Sequence, residues 1–444
     1  MESRAEIFQL SINFTPVRIS WRAPGLLQKS ESRNGRGGDF ATQRISILSS
    51  QLISISVNLD SDSDKKTMEE WSIVHKVALL GFLGALIFGA VANKTHFCIM
   101  GSISDWINMG SRVRFRAWML SIGIAILGSQ AMGQFGWIDL DTTMYRGSSF
   151  GLAGFLIGGI LFGVGMTLGA GCGQRTLVRV GGGNLKSLVV LIVMAITAYM
   201  TLRGLLAPVR IDIFGPLSID LESQGISNQG IETILAHWVG VSGQTMAIVV
   251  ALILGLGTVI YALKDKGFRA SGDNILAGVT IGVLVVGAWY ATGVIGNDDF
   301  EPVPVEALTF VAPTGNTVNY LMTWTGAEIN FGIAVVLGMI LGSFLYAVFS
   351  GNFRVEAFAN RADMRNHLVA GVLMGFGGVL SFGCTIGQGV SGMSTLALGS
   401  LVTLLSIMLG SALTMKIQYY MLDDGFWSSL RQSLADLRLF PAPK

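Results

Sequence analysis

Apolar and polar positions alternate along this chain in long blocks, beginning near residue 74. An α-helix rises about 1.5 Å per residue, so apolar runs of roughly 17–22 residues are long enough to cross a hydrocarbon core about 30 Å thick. The pattern predicts an all-α polytopic membrane protein with about nine transmembrane helices. The apolar runs are approximately 74–93, 117–135, 150–170, 187–207, 244–263, 274–295, 330–350, 367–383 and 396–415.

The loops between these runs alternate in charge. The intervening loops are poor in Lys and Arg, and the long loop 296–329 carries only acidic charges. Cytoplasmic loops of membrane proteins are enriched in Lys and Arg, so the odd-numbered loops are expected inside, with the N-terminus outside and the C-terminus inside. The basic clusters of the odd-numbered loops are Arg112, Arg114 and Arg116; Arg175, Arg179 and Lys186; Lys264, Lys266 and Arg269; and Arg354, Arg361 and Arg365.

Both ends of the chain differ from its middle. Residues 1–67 carry nine Lys or Arg residues and no apolar run long enough to span a bilayer, so we interpret them as a disordered extension. We hypothesise that translation starts at Met68, because Met68-Glu-Glu-Trp leads directly into the first apolar run. A transport domain is expected over 68–422 and a short cytoplasmic tail over 423–444.

Composition supports a membrane protein and excludes other classes. Charged residues make up 13% of the chain, against about 25% in soluble proteins, which is too few to cover a water-facing surface of this size. The net charge of +2 gives no broad basic surface for nucleic acid. Glycine accounts for 58 of the 444 residues and proline for only nine, so the glycines are expected inside helices.

An internal duplication relates the third and eighth apolar runs. An offset of 212, which sets Cys172 on Cys384, aligns GGILFGVGMTLGAGC with AGVLMGFGGVLSFGC. The two runs are five crossings apart, so the second copy is expected upside down relative to the first, with inverted halves at about 74–207 and 274–415. Inverted repeats are typical of transporters that bind substrate near the bilayer midplane.

The chain has three cysteines, and each closes a glycine-patterned apolar run: Cys98, Cys172 and Cys384. Glycines four apart within the runs predict close helix packing. The glycines around the cysteines lie where the apolar runs end, and they predict half-helices or re-entrant turns whose free N–H groups suit an anion. Those flanking glycines are Gly169, Gly171 and Gly173 in the first copy and Gly383, Gly387, Gly389 and Gly392 in the second.

The chemistry of a thiol at such a break leaves few functions. The four histidines show no metal-ligand spacing with the cysteines, so no metal site is predicted, and no Cys-x-x-Cys pair is present for redox work. A sulfur-containing anion remains, since its oxygens accept hydrogen bonds and its soft sulfur contacts a thiol. No nucleotide-binding loop, cofactor site or catalytic residue is predicted.

Three segments resemble the signature motifs of the YeeE/YedE sulfur-transport family, in particular its thiosulfate-uptake members: NKTHFCIMGSISDW at 93–106, GAGCGQRTLVRVGGGNLKSL at 169–188 and GCTIGQGVSGMSTLALGSL at 383–401. The similarity extends from about residue 74 to 416. It implies an hourglass-shaped helical bundle in the bacterial inner membrane, in which thiosulfate passes between Cys98, Cys172 and Cys384, and it implies no enzyme activity.

Polar residues near the cysteines are candidate supporting groups. Gln174 and Arg175 flank Cys172, which is expected at the central constriction, although Arg175 also fits a cytoplasmic boundary marker. Hydroxyls and amides beside Cys384 either hold the substrate or satisfy helix backbone. His96 and Lys94 are expected to attract a dianion into the outer mouth, or simply to lie at the interface. The groups beside Cys384 are Thr385, Gln388, Ser391 and Ser394.

Import of a dianion against an inside-negative potential requires prompt consumption of the anion in the cytoplasm, which predicts a cytosolic TusA-like sulfurtransferase as partner. Two alternatives stay open: a transporter of another sulfur or selenium species, and a membrane thiol oxidoreductase. Trp71, Trp106 and Trp118 are expected in an interfacial aromatic belt.

Overall fold

The structure is a computed structural model that describes residues 72–423 and 425–436. The extension 1–67, the proposed start at Met68 and Trp71 lie outside the described residues, as do residue 424 and residues 437–444 of the tail. The residues of the tail that are described form one short helix, which packs on the last long helix through Lys416 and Asp436, 3.1 Å apart.

The described chain is mainly helical, with one two-residue strand pair, β1 at Ser149–Phe150 and β2 at Ile219–Asp220. The helices of the N-terminal part are α1 Ile73–Thr95, α2 Ile99–Met109, α3 Val113–Gln134, α4 Leu152–Leu168, α5 Gly173–Gly181 and α6 Leu185–Arg203. Those that follow are α7 Ile231–Val239, α8 Gly243–Leu263, α9 Lys266–Arg269, α10 Gly272–Tyr290, α11 Val311–Met322, α12 Phe331–Phe349, α13 Arg361–Leu380, α14 Leu398–Tyr420 and α15 Phe426–Asp436.

The predicted all-α polytopic class is confirmed. Within the described part, eight helical segments are long and apolar enough to cross a membrane, and they coincide with eight of the nine predicted runs. The exception is the run 367–383, which falls in α13. That helix begins with Arg361, Asp363 and Arg365, so its charges shorten the apolar stretch.

Contacts join the four predicted basic loops at one end of the bundle. Two ion pairs link the first loop to the fifth: Lys94 lies 3.9 Å from Asp273, and Arg116 lies 3.9 Å from Asp265. Lys186 pairs with Asp363 at 2.8 Å and links the third loop to the seventh. We call this the basic end.

The even-numbered loops meet one another in the same way. β1 and β2 join the second and fourth loops, and a β-bridge between Gly230 and Ala397 joins the fourth to the eighth. The buried Arg146 of the second loop pairs with Glu232 and donates to the carbonyl of Thr395 at 3.3 Å. We call this the acidic end, after the loop 296–329.

The two duplicated units pack on each other reciprocally. Helix α4 packs on α14, and its counterpart α13 packs on α6, while α4 and α13 also contact each other. The predicted packing role of the mid-helix glycines is confirmed, because a Cβ on Gly163 would meet the carbonyl of Ile407 and one on Gly375 would lie 2.6 Å from the carbonyl of Met194. Glycine lets these backbones touch.

Candidate functional site

Each cysteine stands at an abrupt break between a long helix and a short one. Four non-glycine residues in the described part have positive φ, and three of them precede a cysteine by two positions: His96 at 52°, Ala170 at 53° and Phe382 at 59°. A side chain in this left-handed region costs about 1 kcal/mol or more. The same strained turn therefore precedes all three cysteines.

The two copies end their long helices with the same hydrogen bond. The amide of Gly171 donates to the carbonyl of Met166 at 2.9 Å, and the amide of Gly383 donates to Gly378 at 2.7 Å. This six-to-one bond, with a left-handed residue just before it, is a Schellman motif. The predicted half-helix breaks are thus present at Gly171 and Gly383, at the expected offset.

Each cysteine also begins the short helix that follows. Its carbonyl accepts the first helical bond, from Ser102 for Cys98 at 3.0 Å, from Thr176 for Cys172 at 2.8 Å and from Gln388 for Cys384 at 2.8 Å. The short helices are α2, α5, which starts at Gly173, and a third at 385–394 that is π-helical over Gly387–Gly392.

The thiols lie at the positive ends of these helices. The amide of Gly387 donates to the Cys384 sulfur at 3.4 Å, and the amides of Gly101 and Arg175 interact with the Cys98 and Cys172 thiols. In all three cases the amide belongs to the third residue after the cysteine. A helix N-terminus attracts negative charge, so each thiol stands where an anion is stabilised.

The three thiols form a buried series. Cys98 and Cys172 interact with each other, and the hydroxyl of Thr385, next to Cys384, lies beside Cys172. The Cys384 thiol interacts with Thr309 and the amide of Phe310. Cys98 is 6% exposed, and Cys172 and Cys384 are fully buried. Phe310 precedes α11, so a fourth short helix also points its N-terminus at this series.

Four buried hydrogen-bond donors near the thiols have no partner among the described residues. They include Nε2 of Gln174, Nη1 of Arg175 and the hydroxyl of Thr385, all three of them predicted supporting residues. The fourth is Nε1 of Trp118. An unpaired buried donor costs about 1–3 kcal/mol. Four such donors around a thiol series provide what the oxygens of an anion would accept.

Trp118 corrects the sequence-based expectation. It is fully buried and stacks on Phe97 at 4.9 Å between ring centroids, and its ring lies 3.3 Å from the position of a Cβ on Gly389. It therefore joins the Cys98 and Cys384 segments instead of lying in an interfacial belt. Trp118 is only the sixth of the 22 residues of α3, so its place in the sequence gave no signal of this contact.

Other predicted groups are engaged within the protein. The Gln388 amide donates to Ser381 at 2.6 Å and accepts from Ser400 at 2.5 Å. Ser391 donates to Leu308 at 2.8 Å, and Ser394 donates to Ser391 at 2.6 Å. These bonds hold the 385–394 helix in place.

His96 lies at the basic end, not at the opposite mouth. Its carbonyl accepts from Arg114 at 2.9 Å, and its Nδ1 lies 3.4 Å from Nη2 of Arg175. Lys94, paired with Asp273, lies at the same end. The expectation that these two residues draw an anion into the outer mouth stays a prediction, and it conflicts with the cytoplasmic side expected for the loop that carries Arg114.

A cavity adjoins each end of the thiol series. The basic-end cavity, about 340 Å³, is lined by Arg175, Arg179 and Arg354 among others. The acidic-end cavity, about 130 Å³, is lined by Thr309 and Gly383, which adjoin Cys384. The series from Cys384 to Cys98 thus lies between a cavity at either end. No group of three or more His, Cys, Asp or Glu residues in the described part could hold a metal ion.

Comparison with known proteins gives a consistent result. The family model described as Sulphur transport matches residues 94–413. Over 331 residues the chain is 27% identical to the Thiosulfate transporter TsuA of Escherichia coli (strain K12), covering 70% of this chain and 86% of that protein. It is 23% identical over 336 residues to the Thiosulfate transporter TsuA of Spirochaeta thermophila, covering 74% of this chain and 96% of that protein.

These relatives are named as transporters and not as enzymes. With eight membrane-crossing segments, the protein is a multi-pass membrane transporter of sulfur species. The match spans most of the chain and includes all three cysteine motifs. The chain belongs to the Sulphur transport family, which is the YeeE/YedE family that its motifs resemble.

Proposed function

We propose that the protein imports thiosulfate into the cytoplasm and that the ion contacts Cys384, Cys172 and Cys98 in turn. The observation that carries this proposal is the buried thiol series, in which each thiol stands at a helix N-terminus and unpaired donors surround the middle one. The terminal sulfur would contact a thiol by an S–H···S interaction, while the oxygens accept from N–H and O–H groups.

The orientation that we propose rests on the charges of the two ends. The basic end faces the cytoplasm by the positive-inside rule, which places Cys384 and the acidic-end cavity toward the outside of the bacterial inner membrane. The N-terminus is then outside and the C-terminus inside. In this orientation the two cysteine-bearing copies open to opposite sides, as an inverted repeat requires.

Energetics require a partner. Moving two negative charges inward costs about 4.6 kcal/mol per 100 mV of inside-negative potential. Downhill import then depends on rapid removal of the ion inside, and we propose that a cytosolic TusA-like sulfurtransferase removes it. The basic-end cavity, with Arg175 and Arg179, is where the ion would emerge.

Growth of a sulfur-starved host on thiosulfate tests the cysteine path. A Cys172→Ala protein that still inserts into the membrane should fail to support growth, because it lacks the middle contact. Full growth with that variant would refute the path. Inhibition of thiosulfate uptake by added sulfide or selenium oxyanions then ranks the other candidate substrates. A compound that inhibits uptake more strongly than unlabelled thiosulfate does would replace thiosulfate as the proposed substrate.

A further inference from the structure

The acidic-end cavity contains a carboxyl group that the cysteine path does not explain. Two ionisable side chains line this cavity, Glu306 and Arg210. The same cavity is lined by Thr309, whose hydroxyl interacts with the Cys384 thiol, and by Gly383, which precedes that cysteine. An anion on its way to Cys384 therefore passes a carboxyl group.

The backbone fixes Glu306 at this position. Thr292, in the π-helical stretch Ala291–Ile295 after α10, donates its hydroxyl to the Glu306 carbonyl at 2.7 Å. The Glu306 amide donates back to the same hydroxyl at 3.2 Å. A residue held through both backbone groups cannot easily withdraw its side chain from the cavity.

The Glu306 carboxyl group has no ion pair or side-chain hydrogen bond within the described residues. The basic side chain of the cavity, Arg210, instead donates to the carbonyls of Thr201 at 3.3 Å and Leu202 at 3.4 Å, at the end of α6. An ionised, unpaired Glu306 would repel a dianion. A protonated Glu306 is neutral, and its O–H can donate to an oxyanion.

Several charged and titratable groups face Glu306 from the elements packed around it. They are Arg210 from the fourth loop, the buried Tyr145 from the second loop and the Cys384 thiol from the eighth. Helices α11 and α12 contribute uncharged groups to the cavity, Asn316 and Gly332. Glu306 lies in the loop between the membrane-crossing segments Gly272–Ile295 and Phe331–Phe349. Burial raises its pKa to about 7.

We propose that Glu306 binds a proton together with the incoming anion, so that transport couples a proton to each anion that reaches Cys384. This inference rests on the proposed function. Linkage makes the coupling reciprocal, because a proton that strengthens anion binding is itself bound more tightly when the anion is present. A proton carried inward also cancels one of the two charges that oppose import.

Thiosulfate uptake by the purified full-length protein in liposomes, at outer pH values on both sides of 7, tests this proposal. Wild-type uptake should fall as the outer pH rises, whereas Glu306→Gln, which mimics the protonated side chain, should match wild type at acidic pH and keep that rate at alkaline pH. Glu306→Asp retains a titratable group and should retain a pH-dependent rate. Glu301→Gln, in an exposed part of the same loop, is the matched control and should follow wild type.

Three results would overturn the coupling: pH-independent uptake by wild type, an unchanged pH profile in Glu306→Gln, or a loss by the same factor at every pH in that variant. The last result would indicate a purely structural role. If neither wild type nor any variant takes up thiosulfate, both the proposed function and the coupling fail. If wild type takes up thiosulfate but gives one of the three results above, only the coupling fails.

Discussion

The unpaired hydroxyl of Thr385 leads to opposite predictions for stability and transport. It is fully buried, beside the Cys172 thiol, and makes no hydrogen bond of normal geometry. Replacement by valine removes the hydroxyl at nearly constant shape. An unsatisfied buried polar group costs about 1–3 kcal/mol, so Thr385→Val should fold as stably as wild type or more stably by about 1 kcal/mol.

Transport should change in the other direction. A hydrogen bond to an ionised acceptor contributes about 1.5–3 kcal/mol, so loss of the Thr385 donor should weaken thiosulfate binding about 10- to 150-fold. Concentration-dependent uptake of labelled thiosulfate in liposomes measures this loss, and the melting temperature of the purified protein measures stability.

Thr395 provides the matched control, because its equally buried hydroxyl donates to the Gly392 carbonyl at 2.8 Å. Thr395→Val should lose about 1 kcal/mol of stability and transport normally. Wild-type uptake by Thr385→Val would show that its hydroxyl does not face the substrate. A drop in melting temperature like that of the control would show that the hydroxyl is bonded in the free protein.

Three further changes test the packing, the ion pairs and the site. Gly163→Ala should lower the melting temperature, since its Cβ would meet a backbone carbonyl of α14, whereas Gly257→Ala, with no atom within 4 Å, should leave it unchanged or raise it. A hydrogen bond from Lys186 lowers the pKa of Asp363, so the stability from this pair is present above about pH 4 and is lost below it. Asp363→Asn should therefore lower the melting temperature at neutral pH, and the difference in melting temperature from wild type should vanish in acid. Trp118→Phe removes the unpaired N–H together with one of the two rings, so it should lower the melting temperature and reduce thiosulfate uptake, and normal uptake would exclude Trp118 from the site.

The helical segments could be predicted because hydrophobic length alone determines them. All nine apolar runs became helices, and eight of the helical segments are long and apolar enough to cross a bilayer. The breaks at Cys172 and Cys384 could also be predicted, since the offset of 212 aligned their glycines and the structure places Ala170 and Phe382 in the same strained conformation. Repeated sequence produced repeated backbone geometry.

Features that depend on contacts between distant segments could not be predicted in the same way. Helix α11 lies in a region that the sequence predicted to be a loop. The prediction missed the helix because Thr314, Asn316 and Thr317 interrupt its apolar pattern. It is stabilised by packing on α6 and α12, which no local pattern reveals. The contact of His96 with Arg175, 79 residues further along the chain, likewise depends on the tertiary structure.

Thiosulfate uptake by purified protein in liposomes that contain no redox partner tests the cysteine path most directly. Wild-type protein should take up thiosulfate, and Cys172→Ala with a wild-type melting temperature should lose nearly all uptake, because the thiol between Cys98 and the Cys384 segment is gone. Equal uptake by wild type and Cys172→Ala would contradict the path, and no uptake by well-folded wild-type protein would contradict thiosulfate transport itself.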